Sequence, residues 1–204
     1  MEQHHIFQPP LKNPCLRRLV VGITGASGAI LGIRMLEALK PTAIETHLVL
    51  SESARITIVQ ETDWRLDDVL SLADKSYDFH DIGAVIASGS FSTQGMAIIP
   101  CSIKTLSAVA NSYTNDLISR AADVTLKEGR PLVLVVRETP LHPGHLRLMG
   151  EAAAAGAVIF PPVPAFYLHP HTLDEIINNT VGRILSRLGI DNDLFQEWHG
   201  QSTG

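Results

Sequence analysis

Cysteine is nearly absent from this chain, with only Cys15 and Cys101 among 204 residues. Two distant cysteines make neither a disulfide framework nor a zinc cluster. Positive charge is also in deficit: 16 Lys and Arg stand against 21 Asp and Glu, a formal net charge of -5. That balance argues against general nucleic-acid binding, which needs a basic face, although a local anion pocket stays compatible with it. No apolar run approaches the roughly 18 to 20 residues that span a bilayer, so no membrane span is expected. The N-terminal MEQHHIFQPPLKNPCL has no basic start followed by an apolar stretch, so it reads as an extended arm and not as a secretion signal. The expected compartment is the cytoplasm. His4 and His5 on the arm read as incidental. Neither H-E-x-x-H nor G-x-S-x-G occurs, which leaves zinc-protease and serine-hydrolase chemistry without support.

What is present is apolar: 45% hydrophobic against 18% charged residues, enough to build a sizeable core. The low charged fraction hints at surface buried between subunits. The expected organisation is an N-terminal extension over 1–17, one domain over 18–190 and a tail over 191–204. Apolar runs of strand length alternate with helical spacing. Leu19 to Ile23, His47 to Leu50, Ala84 to Ala87, Met96 to Ile99, Leu132 to Val136 and Val158 to Phe160 are the apolar runs. Helices are expected over Ala29 to Leu39, ended by Pro41, and over Ser53 to Glu61 and Leu66 to Leu72. Further helices are expected from a Ser102 cap through Ala110, and over Asp116 to Glu128, His145 to Ala155 and Thr172 to Leu188. Thr172 with Glu175 resembles a capping box.

This alternation predicts an α/β, three-layer Rossmann or flavodoxin-like fold with a mostly parallel sheet between helices. Ligands in such folds bind beyond the carboxyl ends of the strands. The loops at Gly25, Ser51, Ser88, Cys101, Arg137 and Pro161 are therefore expected to carry the chemistry, each following an apolar strand.

Thr24-Gly25-Ala26-Ser27-Gly28 joins a strand to a helix. Its glycines permit a sharp turn and close approach to a ligand, and the helix N-terminus offers N–H groups to an anion. Gly32 does not complete G-x-G-x-x-G, which disfavours a nicotinamide dinucleotide. Pro100-Cys101-Ser102-Ile103-Lys104-Thr105 supplies hydroxyls and N–H groups for a phosphate cradle, with Cys101 read as a packing residue. Arg120, Asp123 and Lys127 share one helix face, in the simplest reading a solvated face with an internal ion pair. Arg137-Glu138 follows a buried strand. Tyr167 ends a rigid proline loop, where it either binds phosphate or caps the core, and Arg183 lies on the next helix. His142 and His145 flank Pro143-Gly144 without a clear carboxylate partner.

Taken together, VGITGASGAILG, SESARI, QETDW, ASGSFSTQGM, IPCSIKTLSAVANSY, LISRAADVTLKEGRPLVLVVRETPLHPGHL, GAVIFPPVPAFYLHP and VGRILSRLGI resemble the UbiX/Pad flavin prenyltransferases. The resemblance runs from Leu19 to Ile190. It implies a flavodoxin-like sheet assembled into a homo-oligomer, often a dodecamer, with sites at subunit interfaces. It implies reduced FMN as prenyl acceptor, dimethylallyl monophosphate as donor, no metal, and prenylated FMN as a product used by a UbiD-type decarboxylase. By position it assigns Gly25, Ala26, Ser27, Ser51, Ser102, Ile103, Lys104, Thr105 and Arg137 to the flavin. Lys127, Tyr167 and Arg183 match the group holding the prenyl phosphate, and Glu61, Arg120, Glu138, Ser90 and Trp198 match other active-site positions. Ser27, Glu61, Glu138, Lys127 and Arg120 are the expected catalytic set. Two other readings share the flavin site: an FMN-dependent cysteine decarboxylase, which does not need the phosphate-holding trio, and a non-catalytic FMN-binding subunit.

Overall fold

The computed structural model describes residues 17–195 and Gly200. The arm with His4, His5 and Cys15, and the candidate Trp198, lie outside the described residues. In chain order the elements are β1 (Arg17–Ile23), α1 (Ala29–Leu39), β2 (Ile44–Leu50), α2 (Glu52–Glu61), α3 (Leu66–Leu72), β3 (Lys75–Tyr77) and β4 (Gly95–Cys101). They continue as α4 (Ile103–Ala110), α5 (Leu117–Lys127), β5 (Leu132–Val136), α6 (Pro143–Ala154), β6 (Val158–Ile159) and α7 (Leu173–Arg187). The strands form one sheet in the order β3-β2-β1-β4-β5-β6, and every described pair is parallel. Without the short edge strand β3, the order is that of flavodoxin-like sheets.

Burial on both faces explains the continuous apolar strands. Alternate residues of each strand enter different cores. Leu19, Val21, Ile23, Ala97, Ile99, Val133 and Val135 pack with α1 and α7. Val20, Met96, Ile98, Leu132, Leu134 and Val136 pack with α4, α5 and α6. Helices α5 and α7 therefore cover opposite faces of the sheet.

Local signals set the helix starts. Thr172 and Glu175 form the expected capping box of α7, and Ser102 caps α4 by accepting from the Thr105 N–H. Helix α6 starts at Pro143, two residues before the expected His145, because proline suits the first helical position. One expectation fails and one strand was not foreseen. Ala84 to Ala87 is no strand: Val85–Ala87 is a single 3-10 turn packed on α5. The chain then runs to the amino edge of the sheet to enter β4. Conversely β3, the polar Lys-Ser-Tyr, pairs with β2 alone and carries no apolar pattern that would mark it as a strand.

Candidate active site

Strand order reverses between β1 and β4, so the loops leaving these neighbours part and open a crevice at their carboxyl ends. Thr24 ties the two loops together. Its hydroxyl donates to the Pro100 carbonyl at 2.8 Å and accepts the Ser102 N–H at 2.8 Å. Gly25 faces solvent against α2, where a Cβ would lie 2.1 Å from Ser53 Cβ. Only glycine fits there, and the bare backbone it leaves suits a flat ring lying close. A Cβ on Gly32 would lie 2.4 Å from the Ile99 carbonyl oxygen, so this glycine lets α1 lie directly on β4.

Helix α1 has no cap of its own, because its N-cap Gly28 has φ 97° and no side chain. Glu61, at the end of α2, substitutes: its carboxylate accepts the Gly28 N–H at 2.7 Å and the Ala29 N–H at 3.4 Å. A carboxylate at that positive helix end is favourable. It also means that this N-terminus already holds an anion, whereas the first turn of α4 is open to a phosphate. Ile103, Lys104 and Thr105 form that turn, beside the Ser102 hydroxyl, which lies 3.2 Å from Thr105 Oγ1. Ser51 borders the same crevice, buried and capping α2 through the Ala54 N–H at 3.1 Å. Ala26 is buried and Ser27 half-buried on the glycine loop. Arg137 and Glu138 follow β5 at this edge, both exposed, with Glu138 Oε1 accepting the Thr139 N–H at 3.0 Å. Cys101 is fully buried, and burial pushes its thiol far above the ordinary range. It is a packing residue and no nucleophile.

The remaining candidates stand elsewhere on the chain. Helix α5 runs from the carboxyl edge toward the amino edge. Arg120 pairs with Asp123 at 3.6 Å near its start. Lys127 sits at its far end, exposed, 2.7 Å from Glu128, whose carboxyl it holds below the usual range. Ser90 is beside it at the amino edge: Gly89 packs against Lys127 and Glu128, and Ser90 is hydrogen-bonded to Ser88 at 2.9 Å. The Ser88 loop thus precedes a strand instead of following one, and it lies at the opposite edge from the crevice. Arg183 is on α7, on the other face, with its guanidinium 5.7 Å from the Phe160 ring. It lines a cavity of about 210 Å³ with Phe160, Pro161, Asn179 and Thr180. Tyr167 lies exposed in the 3-10 turn Phe166–Leu168 of the preceding loop.

The chain thus gathers Gly25, Ala26, Ser27, Ser51, Glu61, Ser102–Thr105, Arg137 and Glu138 at one edge. It leaves Arg120, Lys127 and Ser90 on one side and Tyr167 and Arg183 on another. Thr24 and His142 were named in the sequence only as members of their segments, with no role of their own. The capping role of Glu61 leaves no local signal, because its partner lies 33 residues away.

Known proteins fit this geometry. The family model described as Flavoprotein matches residues 10–163. The flavin prenyltransferase UbiX of Escherichia coli (strain K12) is 60% identical over 188 residues, 91% of this chain and all (100%) of that protein. The crystal structure of AnUbiX (PadA1) in complex with FMN and dimethylallyl pyrophosphate matches with a TM-score of 0.89 at 50% identity, covering 91% of this chain and 99% of that one. The dodecameric FMN-dependent UbiX-like decarboxylase from Escherichia coli O157:H7 matches with a TM-score of 0.87 at 48% identity, over 90% and 100%.

Proposed function

The chain belongs to the flavin prenyltransferases of the flavoprotein family, and from that premise we propose that it transfers a dimethylallyl group from dimethylallyl monophosphate to reduced FMN. The C–O bond to phosphate breaks, phosphate leaves, and prenylated FMN is released for a UbiD-type decarboxylase. Bound reduced FMN supplies the nucleophilic N5 and C6 that take the prenyl carbons. The observation that carries the reading is the crevice between β1 and β4, where the bare backbone of Gly25 stands beside the open first turn of α4.

The chain's residues then divide the work. Gly25, Ala26 and Ser27 lie along the flavin ring, and Ser51 and Arg137 hold its edge. Ile103 and Lys104 present N–H groups, and Ser102 and Thr105 hydroxyls, to its phosphate. Glu61 fixes the glycine loop and so orients the ring. Lys127 and Arg183, with Tyr167, hold the donor phosphate and stabilise the charge that grows on it as it leaves. Arg120 extends that positive face. Glu138 has one carboxylate oxygen on Thr139 and the other available to carry a proton. Ser90 and Trp198 are assigned to the site by family position alone.

Lys127 and Arg183 lie on helices that cover opposite faces of the sheet, so one copy does not bring them together. The donor site is proposed to form between copies, in a homo-oligomer that is a dodecamer like the E. coli O157:H7 relative. No helix among the described residues is long and apolar enough to cross a membrane, and the proposed compartment is the cytoplasm.

The test is anaerobic incubation of the protein with reduced FMN and either dimethylallyl monophosphate or the pyrophosphate, followed by mass spectrometry of the extracted flavin. A gain of one C5H8 unit with the monophosphate is expected. Unmodified FMN with both donors rejects the activity.

A further inference from the structure

We propose that His142 is a positioning residue for this reaction, a conditional cap that anchors the segment carrying Arg137 and Glu138. The inference rests on the activity proposed above. Residues 137–142 join β5 to α6. At the upstream end the Arg137 N–H donates to the Cys101 carbonyl at 3.2 Å. Downstream, His142 Nδ1 accepts the Gly144 N–H at 3.0 Å, and its carbonyl accepts the N–H groups of His145 at 2.9 Å and Leu146 at 3.3 Å. Between these anchors every residue is exposed. Among the described residues, the Glu138 side chain bonds only within the loop. His142 is thus the side chain that ties the loop to a helix.

The ring is seated by more than that hydrogen bond. Pro143 has no N–H to give, so the first available donor is Gly144. A Cβ on Gly144 would lie 2.7 Å from His142 Cε1, so the imidazole folds over the helix start only because that residue is glycine. The His145 ring covers the imidazole at a centroid distance of 3.6 Å, tilted by 35°. Among the described residues, His145 Nδ1 is itself buried without a hydrogen-bond partner.

An imidazole nitrogen accepts a hydrogen bond only while it is unprotonated, and in the cation both nitrogens are donors. A histidine cap therefore fails on protonation, which a serine cap does not. The charged and titratable groups around it are Arg137 and Glu138 on the loop, His145, Arg147 and Glu151 on α6, and Lys104 on α4, which packs against α6. Strands β5 and β6 carry none. Arg147 and Glu151 neutralise each other at 2.6 Å. When the cap opens, the first turn of α6 frays and the loop loses its downstream anchor.

The experiment compares the wild type with His142→Ala and His142→Ser. It measures kcat for prenyl transfer from pH 8 to 5.5, FMN affinity by fluorescence quenching, and amide hydrogen exchange at 144–147. The alanine variant is expected to lose about fivefold in kcat, the scale of a lost cap, with faster exchange at 144–147. The serine variant is expected to restore kcat and slow exchange, and to lose less activity in acid than the wild type. Two results overturn the proposal: a serine variant as slow as the alanine one, or an alanine variant with fast exchange but unaltered kcat and FMN affinity. If the wild type itself makes no prenylated flavin, the activity reading fails separately. The FMN affinities of the three proteins then decide: a loss in alanine that serine restores supports the positioning role, and equal affinities reject it.

Discussion

The crevice at the carboxyl edge and the outer face of α5 are built on different principles. In the crevice, backbone groups are committed: Thr24 bridges both loops, Glu61 caps α1, and Ser51 and Ser102 cap α2 and α4. On α5, Arg120 and Lys127 are held, among the described residues, only by ion pairs to near neighbours in the chain. Exposed pairs of this kind contribute little to stability. The proposed flavin crevice has a frame that one chain folds by itself. The α5 face is proposed as half of a donor site, with its charges able to change partners when another copy or an anion arrives.

The strongest challenge to that contrast is subunit complementation. Lys127→Ala and Arg183→Ala are each expected to lower kcat/KM on the order of 100-fold, as for removal of one charge-stabilising donor. FMN affinity should remain as in the wild type. If the two cations of one site come from different copies, co-assembled variants at equal ratio rebuild about a quarter of the sites by random pairing in a symmetric oligomer. Recovery of prenylation in the mixture supports the division of the site between copies. Activity no greater than that of the separate variants places both cations on one chain.

The crevice is challenged by filling it. Gly25→Ala sets a methyl group 2.1 Å from Ser53 Cβ, and overpacking of this severity is expected to weaken FMN binding about 10- to 100-fold. Fluorescence titration reads it directly. An unchanged affinity would show that the flavin does not lie on this loop. Thr24→Val is gentler. It keeps the volume but strips the acceptor from the Ser102 N–H, and an expected loss of about 1 to 3 kcal/mol follows from leaving a buried donor unpaired. Equilibrium denaturation measures it, and a loss below that range would mean that water replaces the hydroxyl.

The same contrast explains how much could be read from the chain. Strands buried on both faces announce themselves as LVVGI and LVLVV, and caps such as Thr172 with Glu175 are local, so the fold was legible. The crevice was legible too, because glycines and serines directly after apolar strands mark ligand loops. Three things were not. The polar β3 is an edge strand whose identity depends on its pairing with β2. The Ser88 loop sits at the amino edge because Val85–Ala87 turns where a strand was expected. The partnership of Glu61 with Gly28 is made by tertiary packing. Placement of Lys127, Tyr167 and Arg183 in one site came from family resemblance, since nothing in their spacing joins them.

The smallest expected effect concerns a region outside both sites, where burial and charge meet. His47 on β2 is fully buried. Its Nδ1 is 2.8 Å from the Tyr77 hydroxyl. Its Nε2 is 3.4 Å from Glu45, near enough for charge attraction but outside hydrogen-bond geometry. Glu45 is already engaged by Arg18 at 3.1 Å and Lys75 at 2.9 Å. Burial lowers the affinity of His47 for a proton, and the attraction of Glu45 offsets this only in part. A histidine whose folded pKa lies below its unfolded value near 6.5 binds more protons when unfolded. Its contribution to stability is complete above that value and is lost as pH falls through it toward the folded pKa. Glu45 and Asp74, both held below their ordinary values by hydrogen bonds, to Lys75 and to Thr46 respectively, add losses of the same sign at more acidic pH. The melting temperature is therefore expected to decline from pH 7 to 5.5, and His47→Phe should flatten that decline while leaving the steeper one below pH 4.5. An equal slope in both proteins would assign the acid sensitivity to another group.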